Sequence, residues 1–253
     1  MDDLIISGIQ FDIVWEDKAA NIKKLESLLK DIPTGTDIVL FPEMFTTGFS
    51  MNSAKLAESM TGNSVLWMKE TAKVLNKVIA GSLIIFDNDK YRNRFLWVEP
   101  GGNVLFYDKK HSFSPGGESD HYTNGTKRVV FDYKGWKVFP SICYDLRFPY
   151  WLKNDLNYDI LLNVANWPKI RAEHWKTFLR SRAIENQAYV FGVNRIGIDD
   201  REIVYSGDSS SYDFDGNFLS GLGDIEGIAS ASFSKESLSE YRRKYPFLRD
   251  MDT

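Results

Sequence analysis

The sequence predicts an α/β layered fold, and three observations carry that prediction. Short apolar runs alternate with stretches of helical periodicity along most of the 253 residues. No internal repeat, low-complexity tract or polar linker interrupts the alternation, so one continuous domain over residues 1–253 is the simplest organisation. The composition is that of a globular protein, 43% hydrophobic, 14% aromatic and 26% charged, and a chain of this length buries enough core to shelter a site from water.

The elements follow in order. Residues 4–11, 37–41, 78–86, 95–98 and 104–107 read as strands, each a short apolar run bounded by polar or turn-forming residues. Gly101-Gly102 marks a hairpin turn between the last two. Residues 128–131 and 136–143 read as the arms of a hairpin around Asp132-Tyr133-Lys134-Gly135, which begins with aspartate and ends with glycine as a short turn prefers. Further strands are expected at 159–164, 189–194 and 228–233. Between them, Ile22, Leu25, Leu28 and Leu29 share one helical face, as do Trp175, Phe178, Leu179 and Ala183. A last helical stripe, Leu238, Tyr241 and Tyr245, stops at Pro246.

Charge and targeting signals exclude several classes. The chain carries 31 basic and 35 acidic residues, a net charge of −4, with no basic block, so a nucleic-acid partner is not expected. Met1-Asp2-Asp3 lacks the positive start of a secretory signal, and no apolar run is long enough to span a bilayer. With one cysteine in the sequence no internal disulfide forms, which fits a reducing compartment. A cytoplasmic protein with no membrane partner is expected.

That cysteine, Cys143, ends the apolar strand Val138-Phe139-Pro140-Ser141-Ile142. Taken alone it packs as a small hydrophobe, yet a residue where a strand stops is held rigidly and reached from a cleft. Glu43 stands just past the strand that ends in Leu40-Phe41-Pro42, beside the apolar Met44-Phe45. Lys109 closes a third strand, Leu105-Phe106-Tyr107. In α/β sheets ligands bind outside the carboxyl ends of strands, and all three residues stand there. Their chemistry is complementary. A thiol attacks an amide carbon once deprotonated, which needs a base such as Glu43. The tetrahedral oxyanion needs a positive partner, and Lys109 with a backbone N–H after Cys143 supplies one. The carboxyl that took the proton can return it to the departing nitrogen.

Phe41-Pro42-Glu43, Tyr107-Asp108-Lys109-Lys110-His111 and Cys143-Tyr144-Asp145-Leu146-Arg147-Phe148-Pro149 resemble, in order and separation, the three signature segments of the nitrilase superfamily of carbon–nitrogen hydrolases. Asn163-Val164-Ala165-Asn166-Trp167-Pro168 and Arg182-Ala183-Ile184-Glu185-Asn186-Gln187-Ala188-Tyr189 resemble further family segments. The resemblance implies a four-layer α-β-β-α sandwich that pairs into homodimers or larger homo-oligomers. It also implies Glu43 as base, Lys109 as oxyanion stabiliser and Cys143 as nucleophile. Glu118, in Pro115-Gly116-Gly117-Glu118, matches the position of a second glutamate in many members, and the resemblance implies it as a further catalytic residue; read from the residues alone it is a solvated loop carboxylate. The run from Phe41 through Phe49 and the step Asn166-Trp167-Pro168 resemble the omega-amidase branch, whose members hydrolyse the side-chain amide of 2-oxo acids such as 2-oxoglutaramate and 2-oxosuccinamate. Met44, Tyr144 and Trp167 are then expected to line a substrate pocket, with plain core packing as the alternative for such large apolar residues; Arg171 reads first as a solvated arginine at a helix start and second as a partner for the substrate carboxylate.

Other sites are poorly represented. There is no G-x-S-x-G elbow, and Gly221-Leu222-Gly223 lacks a dinucleotide fingerprint because Glu226 stands where its third glycine belongs. His111, His121 and His174 have no paired ligand spacing, so neither metal nor cofactor is expected; His111 reads as support for the end of the lysine strand. The partner expected is a small amide substrate. The same three residues also fit an N-carbamoyl amino acid amidohydrolase or a nitrilase, because specificity is a property of the pocket. A catalytically silent binding or scaffold relative is a further alternative, against which the intact Glu43, Lys109 and Cys143 argue.

Overall fold

In the computed structural model, which describes residues 3–250, the apolar runs become the strands of two sheets. The first half of the chain runs β1 (Leu4–Gln10), α1 (Lys18–Leu28), β2 (Ile38–Leu40), α2 (Ser53–Leu56), α3 (Asn63–Leu75), β3 (Val78–Asp87), β4 (Lys90–Val98), β5 (Val104–Asp108) and α4 (Glu118–His121). It continues through β6 (Phe131–Tyr133), β7 (Trp136–Ile142), α5 (Pro149–Leu152), β8 (Ile160–Ala165), α6 (Ala172–Asn186) and β9 (Tyr189–Asn194). The last part holds β10 (Ile196–Ile198), β11 (Val204–Ser206), β12 (Ser210–Tyr212), β13 (Phe218–Gly221), β14 (Gly227–Phe233) and α7 (Lys235–Lys244).

One six-stranded sheet has the order β14-β1-β2-β3-β4-β5 and the other β13-β12-β9-β8-β7-β6. Both are mixed: β1, β2 and β3 run parallel, as do β7, β8 and β9, while the outer strands pair antiparallel. The period-2 alternation of side chains explains why two sheets are needed. Ile38 and Leu40, Val78 and Ala80, and Phe95 and Trp97 pack with Val138, Phe191 and Val193 of the opposite sheet. The alternate residues Val39, Ile79, Leu96 and Val98 point the other way, against Leu25 of α1 and Val65, Met68 and Ala72 of α3. On the far side Trp175, Leu179 and Ala183 of α6 cover the second sheet. The result is the expected four-layer α-β-β-α sandwich, and strands buried on both faces account for the nearly continuous apolar runs. The sheets approach closely at Gly8, where a Cβ would lie 2.4 Å from Val193.

Element by element the sequence reading holds at the strand cores and shifts at the edges. The hairpin of β6 and β7 pairs Tyr133 with Trp136, so its turn is the two-residue Lys134-Gly135, both at positive φ, and Arg128 to Val130 lie outside the strand. That is the geometry a tight hairpin turn demands. β4 begins at Lys90, earlier than expected, because Arg94 is neutralised inside the sheet by Asp108 and Asp87. The strands between Ile196 and Gly221 and the helix α3 were not anticipated.

Candidate active site

The edge of the sandwich where β2, β5, β7 and β8 end is where the candidate residues meet. β2 and β5 belong to one sheet and run in the same direction, since β2 is parallel to β3 and two antiparallel steps separate β3 from β5. Beyond β2, the Phe41 N–H still bonds the Ala80 carbonyl at 2.8 Å. Pro42 has no N–H to continue the ladder, and Met44 turns left-handed at φ 45°. Lys109 follows β5 directly, held by its N–H on the Asn93 carbonyl at 3.0 Å. Cys143 ends β7 at φ 44° and opens a 3-10 turn, Cys143–Arg147. A side chain other than glycine held at that φ stores roughly 1–3 kcal/mol of strain, and such residues concentrate at functional sites.

Four side chains form one buried polar cluster. Lys109 Nζ donates to Glu43 Oε1 at 2.8 Å and to Glu118 Oε2 and Oε1 at 2.8 and 3.0 Å. An ammonium has three protons, and all three point at carboxylate oxygens. Asn93 Nδ2 bridges the same pair, donating to Glu43 Oε1 at 2.7 Å and Glu118 Oε1 at 3.2 Å. Ser82 Oγ orients that amide by donating to Asn93 Oδ1 at 2.9 Å, and itself accepts the Met44 N–H. The second oxygen of Glu43 accepts the Asn166 N–H at 2.9 Å, and Glu118 accepts the Phe113 N–H at 2.6 Å. Glu43 and Glu118 are wholly shielded from solvent, and Lys109 nearly so.

Burial and neighbouring charge set the protonation states. Burial alone would lower the Lys109 ammonium, but the Glu118 and Glu43 carboxylates reverse this and hold it above the ordinary lysine range. Burial pushes the Glu118 carboxyl up; Lys109 pulls it back and the Glu43 charge adds to the rise. The Cys143 thiol, 9% exposed, is pushed well up by burial and then by the Glu43 carboxylate, against a smaller opposing pull from Lys109. The resting sulfur is therefore a thiol. Its hydrogen-bond partner is the Asn166 carbonyl at 3.9 Å, a weak contact.

A second network ties the lysine segment to the cysteine segment. Asp145, fully buried, accepts the Tyr107 hydroxyl at 2.8 Å, the Ile142 N–H at 3.1 Å and the His111 N–H at 2.9 Å. His111 Nδ1 lies 2.9 Å from the same carboxylate, and its ring stacks on Phe148 with centroids 3.9 Å apart. His111 is thus built into the support of the lysine strand end.

A cavity of about 470 Å³ opens over this edge, with Glu43 and Cys143 on its wall. Tyr144, Trp167 and Arg171 line it too. Lys109 is bonded to Glu43, and Glu118 to Lys109, but neither is on the wall. Met44 requires a correction: its side chain is not on the wall but buried with Phe49, Leu56, Ile84 and Tyr122, because the left-handed turn sends it away from the direction of Glu43. Sequence reasoning missed Asn93 and the wall residues Arg147, Arg201, Phe49 and Phe113. Asn93 carried no signal in the sequence, because it lies ahead of the strand expected at 95–98 and only the structure extends that strand back to Lys90. Among the described residues, no cluster of three or more His, Cys, Asp or Glu is arranged to hold a metal ion. Nor is any helix long and apolar enough to cross a membrane.

A layered sandwich with a thiol and a carboxylate on one cavity wall, and an ammonium bonded behind the carboxylate, has the parts a carbon–nitrogen hydrolase needs. The chain belongs to the carbon–nitrogen hydrolase family, whose model matches residues 6–243. It is 42% identical to omega-amidase YafV of Yersinia enterocolitica, over 100% of this chain and 98% of that protein. It is 33% identical to the 2-oxoglutaramate amidase of Bacillus subtilis, over 97% and 96%. Among solved structures, a CN-hydrolase superfamily protein of Xanthomonas campestris with an arsenic adduct in its active site superposes with a TM-score of 0.97. That pair is 39% identical, covering 100% of this chain and 98% of the other.

Proposed function

We propose that this protein hydrolyses the terminal amide of 2-oxo acids, 2-oxoglutaramate or 2-oxosuccinamate, to the 2-oxo dicarboxylate and ammonia through a thioester on Cys143. The observation that carries the reading is the shared cavity wall of Cys143 and Glu43, with Lys109 bonded behind Glu43. The full-length likeness to omega-amidase YafV and to a 2-oxoglutaramate amidase supports the choice of substrate.

In this mechanism the Glu43 carboxylate takes the thiol proton as Sγ attacks the amide carbon, because a thiol raised by burial is not ionised beforehand. Protonating Glu43 cancels the charge that binds Lys109 to it. One ammonium proton is then free to turn toward the tetrahedral oxyanion, while Glu118 keeps the other two. The backbone N–H of Tyr144 is the second oxyanion donor. Glu43 returns the proton to the nitrogen, the C–N bond breaks and ammonia leaves. Water then attacks the thioester with Glu43 again as base, releasing the carboxylic acid and restoring the thiol. Glu118 and Asn93 act as positioning residues, fixing Lys109 and Glu43 in register. Tyr144 and Trp167 shape the apolar flank of the substrate's path.

A substrate panel tests the reading: 2-oxo acid amides, free glutamine, carbamoyl amino acids and nitriles, each followed by ammonia release. The 2-oxo acid amides are expected to show the highest kcat/KM, and preference for a nitrile or a carbamoyl amino acid overturns the assignment. The homodimer implied by the family resemblance is tested by light scattering on the eluting protein.

A further inference from the structure

A second cavity, of about 550 Å³, shares no wall residue with the one that holds Cys143. Its wall comes mainly from β4, β5 and the chain from Thr123 to Lys127. Alternation along β4 explains the placing. Arg92 and Arg94 share the parity of Leu96 and Val98, so they face away from Asn93 and the catalytic cluster.

The charge of this wall is opposite to the chain's net −4. Four basic residues, Lys90, Arg92, Arg94 and Lys127, stand on it against two acidic ones, Asp87 and Asp108. Arg94 engages both carboxylates: its Nε and Nη2 donate to Asp108 at 2.6 and 3.0 Å, and Nη2 also reaches Asp87 at 3.0 Å. Lys90 and Lys127 are exposed, and their side chains make no hydrogen bond or ion pair among the described residues. Arg92 gives Nη1 to the Thr123 and Asn124 carbonyls at 3.1 and 2.7 Å. Its Nε has no hydrogen-bond partner and lies 4.0 Å from Asp108 Oδ2, so the guanidinium is incompletely satisfied. A surplus of two positive charges around a concave polar wall is matched to a small dianion.

The same wall is joined to the catalytic lysine. The Gly125 N–H bonds the Lys109 carbonyl at 2.7 Å. A Cβ on Gly125 would lie 2.1 Å from the Asp108 carbonyl oxygen, so the two backbones touch. Arg92 therefore grips the two residues that precede the one bonded to Lys109. We propose that this cavity is a regulatory site for a small dianion, a phosphoryl or dicarboxylate compound. The dianion draws on Arg92 and the two lysines and shifts the segment that positions Lys109. Because that segment carries the oxyanion donor and not the substrate's path, occupancy acts on kcat. The proposal is independent of which amide the active site takes.

Inorganic phosphate and succinate serve as probes, at about pH 8, above the second phosphate ionisation. Each is titrated by calorimetry, at fixed ionic strength, into wild-type enzyme and into a variant carrying Lys90→Gln and Lys127→Gln. Neither lysine touches the catalytic cluster, so the variant's basal rate should match wild type. Saturable binding is expected in wild type and should be about tenfold weaker in the variant, the scale of two lost surface charge contacts. The tighter probe tells a phosphoryl from a dicarboxylate ligand. Saturating anion should also change wild-type kcat at least about twofold, measured with the best amide of the substrate panel, and leave that of the variant alone. A rise in KM alone, equal in both proteins, marks competition at the active site and overturns the proposal. So do absent binding, equal binding in the two proteins, and binding that leaves kcat unchanged.

Discussion

The inner end and the rim of the cavity are built on opposite electrostatic plans. At the inner end two carboxylates and one ammonium are buried and every ammonium proton has a partner. At the rim, Arg147 and Arg171 are partly exposed and have no carboxylate partner among the described residues. A buried charge is tolerated only when paired, so the inner cluster is an interdependent unit. A half-exposed guanidinium in contact with water carries little such penalty and can wait for a ligand. The difference assigns bond-making to the inner end and substrate choice to the rim.

Variants of the two regions should therefore fail differently. The largest effect belongs to Cys143→Ala, which is expected to lower ammonia release at least about 10⁴-fold, the scale seen when a nucleophile is removed. Circular dichroism should be unchanged. Glu43→Gln keeps shape but removes the base, and a loss in kcat of about 10²- to 10⁴-fold is expected in steady-state assays. Lys109→Met leaves Glu43 and Glu118 buried without their cation. Its cost should reach about 3–5 kcal/mol in urea unfolding, besides the loss of activity. At the rim Arg171→Gln should move stability by no more than about 0.5 kcal/mol while raising KM for the anionic amide. A rim variant that lowered kcat for every amide alike, or an inner variant that changed KM alone, would break the division between the regions.

A further effect, confined to high pH, concerns alkaline stability. The Cys143 thiol is raised in the folded protein, so the folded state holds its proton more tightly than the unfolded chain. Its contribution is fully present below the ordinary thiol value of 9.0 and declines as pH rises from there toward the folded value. The decline amounts to about 1.4 kcal/mol per pH unit. Cys143→Ala should remove that slope from urea midpoints measured between pH 9 and 10.5. Buried Tyr107, whose hydroxyl is raised by burial and by Asp145, leaves alkaline sensitivity of its own in both proteins.

Much of this was legible in the sequence because the sandwich uses nearly continuous apolar strands, and strand ends can be read from where such runs stop. Glu43, Lys109 and Cys143 each stand just past one of these stops, and the structure brings Glu43 and Cys143 to one wall with Lys109 bonded behind. Glu118 was readable only through its family-like position, since a glutamate after two glycines looks solvated until its fold buries it. Asn93 was hidden in Lys90-Tyr91-Arg92-Asn93-Arg94, where charged neighbours mask a strand, and its contact with Glu43 spans 50 residues. Met44 was misplaced because adjacency in sequence says nothing about direction once the backbone turns left-handed. Arg201 could not be found, for it sits beside the short strands 196–206 that carry little apolar signal.

The central claim, attack by the Cys143 thiol on a 2-oxo acid amide, is tested most directly by trapping the acyl-enzyme. Protein mixed with 2-oxoglutaramate and quenched in acid within one turnover should carry the acyl group as a thioester on the Cys143 peptide by mass spectrometry. It should be absent from Cys143→Ala. Steady turnover with no adduct on that peptide, or undiminished ammonia release by Cys143→Ala, would contradict the account.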